Sequence, residues 1–392
     1  MAQDPTAGFD VAVVGGGVIG LAVAWRAAQR GHRVCVLERG ELGCGASRVA
    51  AGMLAPVSEL DAGELDLLEL GLRSARMWPG FAAELAQAAG ADPGLRRCGA
   101  LVVARDRDEA EALDRELALR LRLELPVERL RPSAARRLEP ALAATIRLAL
   151  AVPGDHAADP RALTLALAEA ARRAGTQLRT GATVARIRIE DGHATGVELA
   201  GGEVVRAARI VFAAGAWTGA IDGLPDVARI PLRPVKGQIL RLRDPSGPGL
   251  LDRIVRFEGG YLVPRGDGRY VLGATMEERG FDTTVTAGAL YGLLRDAGEL
   301  VPSVHELVVE EVGAGLRPAT PDNAPVLGRS EHVDGLVWAT GHHRNGILLA
   351  PVSADIVADA LDGAAPPAAF AAARFARAGA RARARARHEV PA

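Results

Sequence analysis

Apolar and polar positions recur along this chain with two different periods, and the changes of period mark its elements. Residues 9–14 form a continuous apolar run, as a strand buried on both faces requires. Glycines follow, and residues 18–30 then repeat apolar positions at helical spacing and stop at Gly31, a helix C-terminus. A second apolar run, residues 33–37, ends at Glu38, so the chain opens with a predicted βαβ unit. Residues 104–140 are charged with helical periodicity and end near Pro140. Residues 158–175 predict a helix with Asp159 as N-cap, Pro160 at its first position and Gly175 beyond its end. Residues 183–199 alternate about Asp191-Gly192, the pattern of a β-hairpin. Residues 208–217 read as a buried strand running into a glycine. Residues 228–312 read as strands, turns and one helix, 335–340 as a last strand, and 350–361 as a closing helix.

Strands followed by nucleotide-type glycine turns thus appear at the start, middle and end of the chain, separated by other material. The pattern predicts an α/β protein with a discontinuous Rossmann-like domain over residues 8–90, 148–222 and 310–364. A second, mostly antiparallel β-sheet domain, expected to hold substrate, takes residues 91–147 and 223–309. The Ala/Arg-rich tail, 365–392, reads as a disordered, solvated segment.

Composition narrows the function classes. The chain has 392 residues, 49% hydrophobic and 24% charged, enough for two domains and a large core. A net charge of −1 provides no general attraction to nucleic acid or to an anionic membrane surface, so neither is an expected partner. No segment reaches the roughly 18 unbroken apolar residues of a membrane helix. The first ten residues lack the basic start of a signal peptide. Cys35, Cys44 and Cys98 are an odd set without metal-ligand spacing, which points to a reducing, cytoplasmic compartment.

Gly15, Gly17 and Gly20 form G-x-G-x-x-G between a predicted strand and helix. The first glycine makes the tight turn, the second lets backbone approach a pyrophosphate, and the third lets helix and strand pack closely. The anion then meets free N–H groups and the positive end of the helix dipole. Glu38, ending the second strand, is placed to accept hydrogen bonds from a ribose and to repel a 2′-phosphate. These residues favour FAD or NAD over NADP and leave the first two open. The loop 43–54, with small residues and Ser47, lets backbone approach a larger cofactor, and the late strand and loop at 335–348 return the chain to it; both favour FAD.

Four stretches together resemble the amino-acid oxidase superfamily of FAD enzymes: VVGGGVIGLAVAWRAAQRG, GASRVAAGMLAP, GLRPATPDNAPVLG and ATGHHRNGILLAP. Within it the chain is most similar to the glycine oxidases that supply thiamine biosynthesis, and residues 233–238 and 261–278 add to the match. The resemblance covers roughly residues 9–362. It implies noncovalent FAD, because the related sarcosine oxidases link flavin through a cysteine near the position of Gly315, and no cysteine follows Cys98. It implies that a glycine-like amine gives a hydride from its α-carbon to flavin N5. The products are then an imine, glyoxylate, and hydrogen peroxide formed from O2, with sarcosine and small D-amino acids as further substrates. It also implies a homo-oligomer, a tetramer.

In roles carried by the resemblance, Arg317 clamps the substrate carboxylate in a planar fork that lysine cannot copy, with Pro318, Pro321 and Pro325 stiffening its loop. Tyr261 adds a hydrogen bond and Met276 lines the small pocket; a core methionine at a strand end is the alternative for Met276. Some relatives carry a histidine two residues before the tyrosine, where this chain has Gly259 and Gly260, so an enlarged pocket is expected. Lys236, the only lysine, matches the family's PVKGQ segment without an assigned role.

For FAD the expected contacts are Gly15, Gly17, Val18, Ile19, Gly20, Glu38, Arg39, Ala46, Ser47, Ala51, Gly52, Met53, Val184 and Gly215. The closing loop adds His342, His343, Arg344, Asn345, Gly346, Ile347 and Leu348. In that loop two adjacent histidines without a third ligand argue against a metal. The start of the following helix is expected to favour negative charge on the reduced ring, and Arg344 to be a second cation near the substrate carboxylate. The competing classes are a D-amino-acid or sarcosine dehydrogenase that passes electrons to a quinone or carrier, an NAD-dependent dehydrogenase, and a non-catalytic flavin-binding protein.

Overall fold

The computed structural model describes residues 8–375. Two eight-stranded sheets organise them. In the first, Phe9–Val14 lies between Val34–Leu37 and Val204–Phe212, parallel to both. Gln177–Arg179 extends one side, in parallel. On the other side Val204–Phe212 pairs over its first part with the hairpin strand His193–Leu199, and over its last part with Leu336–Thr340. The hairpin turn falls at Asp191-Gly192, both with positive φ (49° and 81°), as a type I′ turn demands.

The helices Val18–Gln29, Pro160–Arg173, Leu65–Ala89 and Ala350–Leu361 pack together over one face of this sheet. Their small faces are why they approach so closely: Ala22, Ala166, Ala170 and Ala354 are all buried in one cluster. The other face carries a second core in which Phe212 and Trp338 meet edge to face at 5.6 Å. The predicted caps are present, with Asp159 accepting from the N–H groups of Arg161 and Ala162.

The second sheet runs Val308–Ala319, Arg233–Arg243, Arg269–Gly273, Gly260–Pro264, Ile254–Phe257, Ala100–Ala104, Leu148–Val152 and Glu128–Leu130. All its pairs are antiparallel except Ile254–Phe257 with Ala100–Ala104. Leu148–Val152 and Val308–Ala319 therefore belong to this sheet, although the sequence divides the chain at 148 and 310. Both strands are apolar or alternating, and only their hydrogen-bond partners tell which sheet claims them.

Residues 104–140 are not one helical stretch. The helix Arg107–Arg122 ends before Glu124, which takes φ 54°, and Pro126; a short strand and the helix Pro132–Leu138 follow. A charged periodicity survives this break because both helices expose a polar face. Residues 365–375, expected to be disordered, contribute a buried Phe370 and an Arg374–Asp322 ion pair at 2.7 Å. The rest of the tail lies outside the described residues.

Candidate active site

A cavity of about 800 Å³ lies between the carboxyl ends of the first sheet's parallel strands and one face of the second sheet. That is near the upper end of the usual range for ligand pockets, and it sits where open α/β sheets bind ligands. Of the predicted site residues, all but Gly20, Asn345 and Leu348 line it.

At one end the wall is mostly backbone. Gly15 has φ 109°, and a Cβ there would lie 2.4 Å from the Ala213 carbonyl oxygen. A Cβ on Gly20 would lie 1.9 Å from the Gly15 carbonyl oxygen, so this glycine serves packing and stays off the cavity. The helix Val18–Gln29 begins at Gly17 without a side-chain cap of its own and without an acidic residue in its first turn. Instead Ser47 Oγ accepts the Val18 N–H at 3.0 Å, which leaves the hydroxyl proton for an anion at the helix start. Glu38 accepts the N–H groups of Gly16 (2.7 Å) and Gly40 (3.0 Å), so it braces the glycine turn as well as facing the cavity. The Arg39 guanidinium lies over the Trp217 ring, 3.7 Å from its centroid.

The other end is built of side chains from the second sheet. Arg317 Nη1 donates to the Thr275 carbonyl at 3.1 Å and lies 3.4 Å from that of Lys236. Among the described residues Arg317 makes no ion pair. Its guanidinium lies on Gly237 of the neighbouring strand, where a Cβ would stand 2.5 Å from both terminal nitrogens. Tyr261 lies beside Arg317; burial pushes its phenol up and the Arg317 charge pulls it back, so the hydroxyl stays a donor. Met276 is 65% exposed and forms the rim.

The closing loop differs from expectation in three residues. Arg344 lines the cavity, but its Nη2 meets Glu64 at 2.6 Å, so its charge is already balanced. Leu348 packs into the core and its carbonyl accepts from Ser74 Oγ (2.6 Å) and Trp78 Nε1 (2.9 Å). Asn345 shapes the turn through its backbone, its N–H donating to the His342 carbonyl and its carbonyl accepting from Leu349. His342 Nε2 is 3.0 Å from Ser353 Oγ, and His343 takes φ 46° with its N–H on the Pro318 carbonyl. Burial pushes both imidazoles down to about 3, so both are neutral. They point to different partners, and among the described residues no cluster of His, Cys, Asp or Glu is placed to hold a metal.

Lys236 is on the far face of its strand from Gly237. It is 1% exposed, and its ammonium meets Asp282 at 2.7 Å, holding that carboxyl down to about 2. The glycines before Tyr261 border the cavity, and of the two only Gly259 leaves room that a side chain would take. A Cβ on Gly260 would run into the Phe257 ring at 2.8 Å, and one on Gly259 would turn toward Asp296.

Comparison with known proteins gives the family. The family described as FAD dependent oxidoreductase (DAO) matches residues 10–360. The chain belongs to the FAD-dependent oxidoreductase family. It is 37% identical over 356 residues to a glycine oxidase of Geobacillus kaustophilus, covering 90% of this chain and 93% of that one. The crystal structure of glycine oxidase from that organism superposes with a TM-score of 0.86, covering 94% of this chain and 97% of the other. The chain is also 36% identical to a bifunctional ThiO/ThiG protein of Trichormus variabilis, matching 89% of its own length and 52% of the relative's.

FAD is the cofactor of this family, and the cavity fits it. The uncapped helix start and the Ser47 hydroxyl suit a pyrophosphate, the Glu38 carboxylate suits a ribose, and the length from Glu38 to Arg317 leads from a nucleotide end to a reactive end. Sequence reasoning missed Gly237, Thr275, Trp217, Arg256 and Glu59, all of which line the cavity. For Gly237 a signal existed in RPVKGQ, where the glycine, rather than the lysine beside it, serves the site.

Proposed function

We propose that this chain oxidises glycine and similarly small amino acids, with O2 as electron acceptor and hydrogen peroxide as product, and supplies thiazole formation in thiamine biosynthesis. The observation that carries this is Arg317, an arginine without an ion pair among the described residues, on the wall of a flavin cavity and resting on a glycine that leaves it room. Its planar fork grips both oxygens of a carboxylate, and its backbone is stiffened by Pro318. Tyr261, kept protonated, donates to the same carboxylate. Held there, the substrate presents its α-carbon to the flavin, and neutral His342 and His343 add no competing charge. FAD, when bound, supplies the two-electron acceptor. The imine that leaves hydrolyses to glyoxylate and ammonia.

The FAD contacts foreseen in sequence, noncovalent binding among them, belong to this proposal. So does the division into a cofactor unit and a substrate unit, with Leu148–Val152 and Val308–Ala319 moved to the second. We also propose self-association into a tetramer. Val308, Val309 and Val312 are half exposed on an edge strand of the second sheet, an apolar edge that favours pairing. No helix among the described residues is long and apolar enough to cross a membrane.

The test is a peroxide assay with glycine, sarcosine, D-alanine and D-proline. Peroxide formed with glycine supports the reading. Flavin that is reduced by glycine anaerobically but yields no peroxide in air assigns another acceptor, and flavin that stays oxidised under glycine rejects the reading altogether.

A further inference from the structure

The turn at residues 55–60 carries a carboxylate on the cavity wall that no side chain among the described residues pairs with directly. Glu59 lines the cavity and is half-buried. Among the described residues its carboxylate makes no hydrogen bond and no ion pair. Val57 of the same turn packs in one cluster with Tyr261, and the Glu59 charge reaches the Tyr261 phenol, so the turn stands beside the clamp. The other acids on the wall, Glu38 and Asp222, stand at the nucleotide end, where Glu38 is tied to Gly16 and Gly40 and the Asp222 N–H to the Ala185 carbonyl.

The backbone presenting Glu59 is held by charged side chains taken out of water. Arg120, 1% exposed, donates from Nε to the Val57 carbonyl at 2.9 Å and from Nη2 to that of Ser58 at 3.1 Å. Asp155, fully buried, accepts the N–H groups of Val57 (3.2 Å) and Ser58 (2.7 Å). Arg344 adds a contact from Nη2 to the Glu59 carbonyl at 3.4 Å and pairs with Glu64, and its charge feels the Glu59 carboxylate as well, so one cation stands among more than one carboxylate. Burying such groups is costly, so Arg120 and Asp155 converging on one turn mark a geometry that is worth holding. What the turn offers the cavity is the Glu59 carboxylate.

An α-amino acid whose carboxylate lies on Arg317 carries its positive charge one carbon away, and the neutral imidazoles and the arginines nearby offer that charge no anion. We propose that Glu59 receives the substrate's ammonium group, so that the site reads an amino acid at both of its charged ends. This rests on the amino-acid oxidase reading above and assigns its amine end. The ammonium donates N–H hydrogen bonds to the Glu59 oxygens. Before the C–H bond breaks, one of its protons passes to the carboxylate and the N–H bonding pair stays on nitrogen. Acids without an amine lose this anchor and keep the other.

The test compares wild type, Glu59→Gln and Glu59→Asp as holoenzymes reduced with dithionite under nitrogen, in which glycine binds without turnover. Calorimetry reads the affinity for glycine and for acetate. Glu59→Gln weakens glycine by about 10- to 100-fold, the range for losing a charged hydrogen bond, and acetate by less than about threefold. Glu59→Asp falls between wild type and Glu59→Gln for glycine alone. Equal losses for the two ligands, or none for glycine, overturn the assignment of Glu59 and leave the functional reading standing. Wild-type protein that binds neither ligand and oxidises no glycine overturns the functional reading itself.

Discussion

The two ends of the cavity are made of different materials. The nucleotide end is backbone: glycines 15 and 17, the start of one helix, and a loop drawn up by Glu38 and Ser47. The substrate end is side chains: Arg317, Tyr261 and Glu59 come from three segments far apart in the chain, brought together by strand pairing and by buried polar ties. Backbone sites tolerate no added atoms, whereas side-chain sites fail when a charge is removed or displaced. On the function proposed above, the first kind holds the cofactor and the second chooses what is oxidised.

That contrast sets the order of expected effects. Arg317→Ala should lower kcat/KM for glycine by roughly 30- to 5,000-fold, about 2–5 kcal/mol of transition-state binding, with FAD content unchanged by absorbance. Unchanged activity would remove the clamp.

Asp155 tests the ties behind the substrate end. Burial raises its carboxyl from 3.8 to about 6. Between these values the folded protein keeps a proton that the unfolded chain has lost, so stability falls as pH rises through this window and is level above it. The contribution is on the order of 3 kcal/mol. Denaturant melts between pH 4 and 7 should show this slope in wild type and lose it in Asp155→Asn.

Gly237→Ala should displace the Arg317 guanidinium and lower kcat/KM by about 10- to 100-fold, since small misplacement of a clamp costs rate. FAD affinity should hold. At the nucleotide end Glu38→Gln should weaken FAD about tenfold, measured by fluorescence of released flavin, with kcat at saturating FAD unchanged. The smallest effect is expected from Lys236→Met, which should leave kcat/KM within about threefold because its ammonium points away from the cavity. A larger loss there would contradict the facing of the strand Arg233–Arg243.

Local patterns made much of the fold legible. The βαβ opening, the capped helix after Asp159, the hairpin at Asp191-Gly192 and the closing helix all stand where period and punctuation placed them. The break near Glu124 was hidden because charged helical periodicity continues past it. That Arg317 and Tyr261 belong to the cavity wall was legible through family resemblance. Their supports were not: Gly237 matters only because strand register sets it under Arg317, and Arg344 looks like a free cation until Glu64 folds onto it.

By itself the sequence determined that a strand, a glycine turn and a helix would present an anion-binding backbone, because those residues are neighbours in the chain and their geometry is local. Tertiary structure alone decided which cations in the cavity are free and which are balanced, and where a carboxylate stands unpaired. Charge pairing depends on contacts across tens to hundreds of residues, and no local pattern records which side chains will meet.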